Sequence, residues 1–389
     1  MTEVSLAKII EAVIPQLYLN ENNNTFDWGK KVSLNLNGMA IEYITYTTGG
    51  RGGHVGEIIN YIEAESRGFC ALNLFSFEME KDYVERAIAT KWLEIVTGMS
   101  QLDWQKALDC IQQLQKRTYE NLPIVKNIII DFDGAGNVAL SDPSQLKLFD
   151  MMGGSNYVYF LADKELNVIA YKSIDWHETT DKTTYSSTPN FLQPFISALD
   201  DRKVAIALTH SGDIIIYKET GMVLSIRKGH AVIYENSFVK NLYKEIIECT
   251  NYNVQCNLFD ISWDLAYRRH GALIIVVRDA EYEKHIMNKE SILSHEQAKG
   301  IRKELVDSIK QISLKERSRI KNRSAFLELA SIDGAIVIDG SEGAINAFGA
   351  IIETADAVSG SGGARTAAAK SAISYEKMIP IKISSDGDI

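Results

Sequence analysis

The chain has 389 residues, 46% hydrophobic and 24% charged, with a formal net charge of −10. That length is long for one core and comfortable for two or three; the composition is that of a globular protein, and the acidic balance opposes general affinity for nucleic acid or anionic membrane. No run approaches the roughly 18 uninterrupted apolar residues of a membrane span.

The opening MTEVSLAKIIEAVIPQL carries acidic residues and lacks a signal peptide's basic start and cleavage site, so a cytoplasmic location is expected. Cys70, Cys110, Cys249 and Cys256 form no CxxC pair, which fits a reducing compartment and argues against structural zinc.

Residues 1–124 read as a mixed, helix-rich N-terminal domain. An extended stretch, Val32 to Tyr46, leads into the turn-rich TTGGRGGHVGE. Val84, Ala87, Ile88, Trp92 and Ile95 then recur at helical spacing, as do Trp104, Ala107, Leu108, Ile111 and Leu114. Ser100 followed by Asp103 resembles a capping box opening the second of these helices.

The period changes at residue 125, and residues 125–239 read as a β-rich middle segment. Lys126–Asp131, Tyr157–Leu161 and Val168–Tyr171 are expected as short strands. The polar tract 178–190 has the composition of a loop. Residues 202–235 predict three strands of an antiparallel meander, turning at Ser211-Gly212-Asp213 and Glu219-Thr220-Gly221.

Residues 240–389 read as an α/β domain. A helical pattern ends at Tyr267-Arg268-Arg269-His270, and GALIIVV follows as a strand buried on both faces. His270 is read here as a structural or capping residue. A charged helix with Ile301, Leu305, Ile309 and Ile312 on one stripe comes next. The basic run Lys315, Arg317, Arg319, Lys321, Arg323 is read as a solvated helix face. FLELASIDGAIVID then runs from helix into a second buried strand, AINAFGAII is a third strand, and MIPIKIS closes the sheet.

The chemistry concentrates at two places in this last region. Asp333-Gly334-Ala335 holds a carboxylate at a strand start, with little side chain beside it to keep a flat ligand from the backbone. About 30 residues on, Gly360-Ser361-Gly362-Gly363 opens a helix near Ala364 or Arg365. Helix N-terminal amides beside an arginine form a phosphate-binding arrangement. A carboxylate with a phosphate cradle is the equipment of metal-assisted nucleotidyl transfer. Asp339, six residues along a straight strand, would lie roughly 20 Å from Asp333, too far to be a second ligand.

The order LASIDGAIVID, AINAFGAII, GGARTAAAKSAIS and IKISSDGDI, with RRHGALIIVV upstream, resembles the diadenylate cyclase domain family. This includes the N-terminal domain of the DNA-integrity scanning protein. The resemblance implies a mixed-sheet α/β domain that makes cyclic di-AMP from ATP with Mg²⁺ or Mn²⁺, across two domains meeting face to face. It implies Asp333 as the catalytic, metal-binding residue. Gly334, Ala335, Gly362, Gly363, Ala364, Arg365 and Thr366 are implied around the nucleotide.

The family's second motif is Gly-Thr-Arg-His-Arg, where this chain has Gly363-Ala364-Arg365-Thr366-Ala367. Its first arginine is kept; its threonine, histidine and second arginine are not. Each lost charge-assisted bond is worth about 1.5–3 kcal/mol. Two functions therefore stay open, a cyclase and a nucleotide sensor signalling through residues 1–239; Lys370 is a candidate to compensate.

Two other motifs have simpler explanations. Asp131-Phe132-Asp133-Gly134 resembles the nucleophile motif of haloacid-dehalogenase-type phosphatases, but Ala135 stands where that family has threonine, and a β-turn is the simpler reading. Gly49 to His54 could cradle an anion ahead of a helix near Val55, but a surface loop is the simpler reading.

Overall fold

The computed structural model describes residues 1–14, 17–19, 30–45, 53–74, 76–152, 157–174, 188–235, 251–293, 301–315, 320–354, 363–375 and 377–386. Met1–Leu242 form one compact unit and Tyr243–Ile389 a second. No helix among the described residues is long and apolar enough to cross a membrane.

The first unit opens with helix α1 (Glu3–Val13) and the strands β1 (Leu17–Leu19), β2 (Lys30–Leu36) and β3 (Met39–Thr45). They form an antiparallel sheet of order β1-β3-β2. The extended stretch anticipated at Val32–Tyr46 is thus a hairpin. Its turn is Asn37-Gly38, with φ of 51° and 90°, the two positive φ values that a two-residue hairpin of matching twist requires.

Helices α2 (Gly53–Cys70), α3 (Phe77–Thr97) and α4 (Gln101–Gln115) follow. Ser76 caps α3 by accepting from the Met79 amide, and Gly98 ends it in the left-handed region at φ 78°. Ser100 caps α4 through the Asp103 amide, while its hydroxyl donates to Asp103 Oδ2 at 2.7 Å. The expected capping pair is therefore present.

The remaining strands of this unit are β4 (Thr118–Tyr119), β5 (Leu122–Pro123), β6 (Lys126–Asp131), β7 (Val138–Ala139), β8 (Val158–Ala162), β9 (Asn167–Ser173), β10 (Lys203–Leu208), β11 (Ile214–Lys218), β12 (Gly221–Arg227) and β13 (His230–Ile233). Two short helices, α5 (Leu146–Met151) and α6 (Gln193–Ile196), interrupt them. Eight strands make one sheet of order β13-β12-β11-β10-β6-β8-β9-β7, parallel only at β6–β8.

The expected three-strand meander has a fourth strand, β13, reached through a turn at Lys228-Gly229 with φ of 50° and 88°. Alternate sheet residues, Ile128, Ile130, Val204, Ile206, Ile214 and Ile216, share one core with Ile10, Ile88, Trp92, Trp104 and Ile111 of the helices. The change of period at residue 125 thus falls inside a common core.

In the second unit, α7 (Tyr252–Tyr267) leads into β14 (Ala272–Val277), which is buried at every position. Helices α8 (Ile301–Lys310) and α9 (Ile320–Ala330) precede β15 (Ala335–Asp339) and β16 (Ile345–Ala350); α10 (Ala364–Ser374) and β17 (Met378–Ile383) complete the unit. Strand order is β16-β15-β14-β17, with β14 and β15 parallel and both outer pairs antiparallel.

The sheet is covered on both faces, as an apolar strand like β14 demands. Ala272, Ile274 and Val276 pack with Leu258, Leu265, Val306 and Phe326 from the first three helices. Leu273, Ile275 and Val277 pack with Tyr282, Ala369 and Ala372 on the other side.

Two sequence expectations are corrected here. Among the described side chains of α8, Val306 is buried, whereas Leu305 is 59% exposed. Arg323 does not lie on a solvated face. It donates from Nε at 3.0 Å and Nη2 at 2.7 Å to Asp264 Oδ2, with the Asp264 side chain only 1% exposed. The basic run hides one half of a buried ion pair that ties α9 to α7.

Candidate functional site

Because β14 and β15 run parallel, their entering ends lie side by side. His270-Gly271 and Ser331 to Gly334 are therefore neighbours. Antiparallel β17 and β16 bring their leaving ends to the same edge, with Ile383 opposite Ala272 and Ala350 opposite Ala335. Asp333 stands on this edge with a fully solvent-accessible side chain (102%).

Its described partner is Arg365, in the first turn of α10, whose Nη2 donates to Asp333 Oδ1 at 3.0 Å. The pair joins two sequence signals 32 residues apart. Arg365 reaches this place across a glycine: a Cβ on Gly271 would lie 2.7 Å from Nη1 and 3.3 Å from the Ser385 amide. The Arg365 side chain is 32% exposed, and its Nε is buried with no hydrogen-bond partner among the described residues.

The backbone beneath Asp333 depends on two glycines. Gly334 has φ of 102°, and a Cβ there would fall 2.5 Å from the Gly349 carbonyl carbon. Gly349 itself has φ of 63°. Both positions need a residue without a side chain, one for conformation and close approach, the other for conformation. Asn288 then pins the neighbouring strand end, donating from Nδ2 to Gly349 O at 2.9 Å and accepting from the Ile351 amide at 2.7 Å. Ile332 and Ile351 are exposed apolar side chains on either side of this glycine pair.

Of the residues expected to form the site, Asp333, Gly334, Ala335 and Arg365 are brought to one edge. Ala335 is buried and starts β15, pairing with Ala350. Gly363 is the N-cap of α10, and its carbonyl accepts from the Thr366 amide at 2.9 Å. Ala364 begins the helix and is exposed, and Thr366 is half-buried in its first turn. Gly362, with Gly360 and Ser361, lies outside the described residues. Lys370 is exposed, and five residues at about 100° each place it about 140° around the helix from Arg365. Thr366 and Ala367, four and three residues before Lys370, are its nearer neighbours on the helix face.

Gly271, Ser331, Gly349 and Asn288 belong to this edge and were not singled out in sequence. The signal available for the glycines was their lone occurrence within apolar strand patterns. Nothing local marked Asn288.

Asp339 lies at the far end of β15. Its Oδ1 accepts from the Ser341 amide at 2.8 Å, the Ser341 hydroxyl at 2.6 Å and the Glu342 amide at 2.8 Å. Burial pushes its carboxyl up, but these donors outweigh burial and hold it below the ordinary range. It is a turn cap, as its distance from Asp333 requires.

For a divalent ion, the fit at Asp333 is partial. Among the described residues no three His, Cys, Asp or Glu converge. One carboxylate with substrate phosphates is nevertheless a usual Mg²⁺ environment, and Asp333 is free to supply it once Arg365 lets go.

The other motifs resolve into structural roles. The Asp133 amide donates to Asp131 Oδ1 at 3.1 Å, the Gly134 amide to Asp131 O at 3.2 Å, and Asp133 pairs with Arg202. This is the β-turn reading. His54 lies within α2 and pairs with Glu57 at 3.7 Å, while Gly49 to Gly52 fall outside the described residues.

No family model matches the chain, and no curated protein matches it. Among solved structures, a crystal structure of a double mutant of DacA from Staphylococcus aureus aligns at 20% identity. The alignment covers 38% of this chain and 81% of that one, with a TM-score of 0.22. A TM-score that low supports no argument about activity.

Proposed function

We propose that residues 243–389 form a metal-dependent nucleotidyl cyclase that makes a cyclic dinucleotide, cyclic di-AMP from ATP. One observation carries this reading. An acid and a base, Asp333 and Arg365, meet over a glycine-paired backbone at the joint edge of two parallel strands. The order of motifs that resembles diadenylate cyclases supports it independently.

In this reading the phosphates take Arg365 and the free amides at the start of α10, where helix polarity favours anions. Mg²⁺ or Mn²⁺ held by Asp333 and the phosphates would neutralise charge as the transfer proceeds. Asp333 and Arg365 release each other when the ligands arrive, each exchanging an exposed ion pair worth about 0–1 kcal/mol for a stronger contact. The ribose hydroxyl of one nucleotide forms a bond to the α-phosphorus of another and gives up its proton to solvent, while the bond to pyrophosphate breaks. Two such transfers close the ring, so two units must associate at least transiently.

A second reading, a nucleotide sensor signalling through residues 1–239, is favoured by the first turn of α10, where Arg365 is followed by Thr366 and Ala367. One cation in that turn offers a triphosphate fewer charge-assisted hydrogen bonds than several would. Incubation with ATP and Mn²⁺, with chromatography for cyclic product, separates the two. Product above the Asp333→Asn background is the expected result. Nucleotide binding with no product above that background overturns the cyclase and leaves the sensor; no binding overturns both.

A further inference from the structure

His270 ends the α7–β14 connection, and its amide donates to Leu265 O at 3.0 Å. Its imidazole does something that a capping role does not require. Nδ1 lies 3.0 Å from Ser331 Oγ, and that hydroxyl lies 2.7 Å from Leu327 O. The carbonyl can only accept, so the hydroxyl proton points to it. Nδ1 must then carry the proton shared with Ser331 Oγ, and in the neutral ring Nε2 is left as an acceptor. Nε2 lies across the ring from Ser331, His270 is exposed, and Nε2 has no partner among the described residues.

This acceptor stands on the same edge as the acid–base pair. Ser331 is two residues before Asp333, and Arg365 Nη1 packs on Gly271, the residue after His270. Consecutive Cα atoms are about 3.8 Å apart, so Nη1 is within about 8 Å of the His270 Cα. A phosphate oxygen on Arg365 offers no proton to an acceptor. The part of a nucleotide covalently next to the phosphates, the ribose, does.

We propose that His270 is a nucleotide-contacting residue, oriented by Ser331, whose Nε2 accepts a hydrogen bond from a ribose hydroxyl of a nucleotide with its phosphates on Arg365. This rests on the nucleotide reading above and adds a residue from a different element of the fold. Ser331 is a positioning residue, since it acts through the imidazole.

The test is an equilibrium titration of the full chain with ATP and with 2′,3′-dideoxy-ATP. His270→Asn keeps a side-chain N–H where Nδ1 stands, so the Ser331 bond remains, but has no atom at Nε2. The wild-type chain is expected to prefer ATP over the dideoxy analogue by about 5–10-fold, one hydrogen bond's worth. His270→Asn is expected to lose that preference while binding the dideoxy analogue as the wild type does. Ser331→Ala is expected to show an intermediate preference with unchanged dideoxy affinity. Thermal melts matching the wild type establish that each variant is folded.

Equal weakening toward both nucleotides, or an unchanged ATP preference in His270→Asn, overturns the assignment while leaving the nucleotide site standing. A wild-type chain that binds neither nucleotide overturns the nucleotide reading and this proposal together.

Discussion

Asp333 and Arg365 occupy each other, so in this arrangement a phosphate must compete with a carboxylate for the guanidinium. Removing that competitor has a definite sign. Asp333→Asn is expected to tighten metal-free binding of inorganic triphosphate by up to about 5-fold, the upper end of an exposed ion pair. It is also expected to abolish any gain on adding Mn²⁺, and calorimetric titration with and without the ion reads both. Arg323 and Asp264 pose the opposite case, a buried pair. Arg323→Ala removes the guanidinium from a carboxylate that is 1% exposed. It is expected to cost about 3–5 kcal/mol in denaturant unfolding of the second unit, with Arg323→Met costing less.

A third residue couples stability to pH. Lys126 is buried at the start of β6, donating to Phe149 O and, at 2.9 Å, to Met152 O. Burial lowers its ammonium pKa to about 8, against an ordinary 10.5. Its charged form is therefore penalised in the fold. The favourable contribution of the neutral amine is fully present above pH 10.5 and is lost as pH falls toward 8. Relative to Lys126→Met, the wild type should gain stability between pH 8 and 10.5, by at most about 1.4 kcal/mol per pH unit. Urea unfolding of both proteins across that range checks it; parallel stability curves would refute it.

At the scale of elements, the β15–β16 hairpin carries the candidate site, and Gly334 is its narrowest point. A side chain there meets both an unfavourable φ and the Gly349 backbone. Gly334→Ala is expected to destabilise the second unit by more than about 1 kcal/mol and to weaken nucleotide binding, whereas Gly363→Ala, with open space around it, should not destabilise the unit. Thermal melts and the ATP titration give the comparison. The helices of the first unit were legible in sequence because their apolar residues recur at the helical period and their caps are local. The two additional hairpin features were also local. Asn37-Gly38 and Lys228-Gly229 turn the chain with paired positive φ, and Asn-Gly between alternating apolar residues is a local hairpin signal. Leu305 and Val306 show the limit of periodicity, since adjacent apolar residues on a short helix leave the buried face to be decided by what it packs on.

At the scale of the molecule, two compact units share the chain, Met1–Leu242 and Tyr243–Ile389. Each has its own apolar core. Expressed separately, each is expected to unfold in one cooperative transition, readable by circular dichroism on heating. The first unit unites helices and strands that differ in period. A core is defined by which faces meet, and secondary-structure type says nothing of that.

The sequence by itself determined the types and spans of the long elements, the burial of β14 on both faces, and the pairing of a carboxylate with a glycine-led helix start as a candidate site. These follow from composition and period, which act over a few residues. Only the tertiary structure decided that Asp333 and Arg365 touch, that Arg323 is half of a buried pair, and that His270 faces the same edge with a defined free nitrogen. Each of those is a contact across 32 to 61 residues. Such contacts depend on which strands and helices become neighbours, which no local pattern encodes.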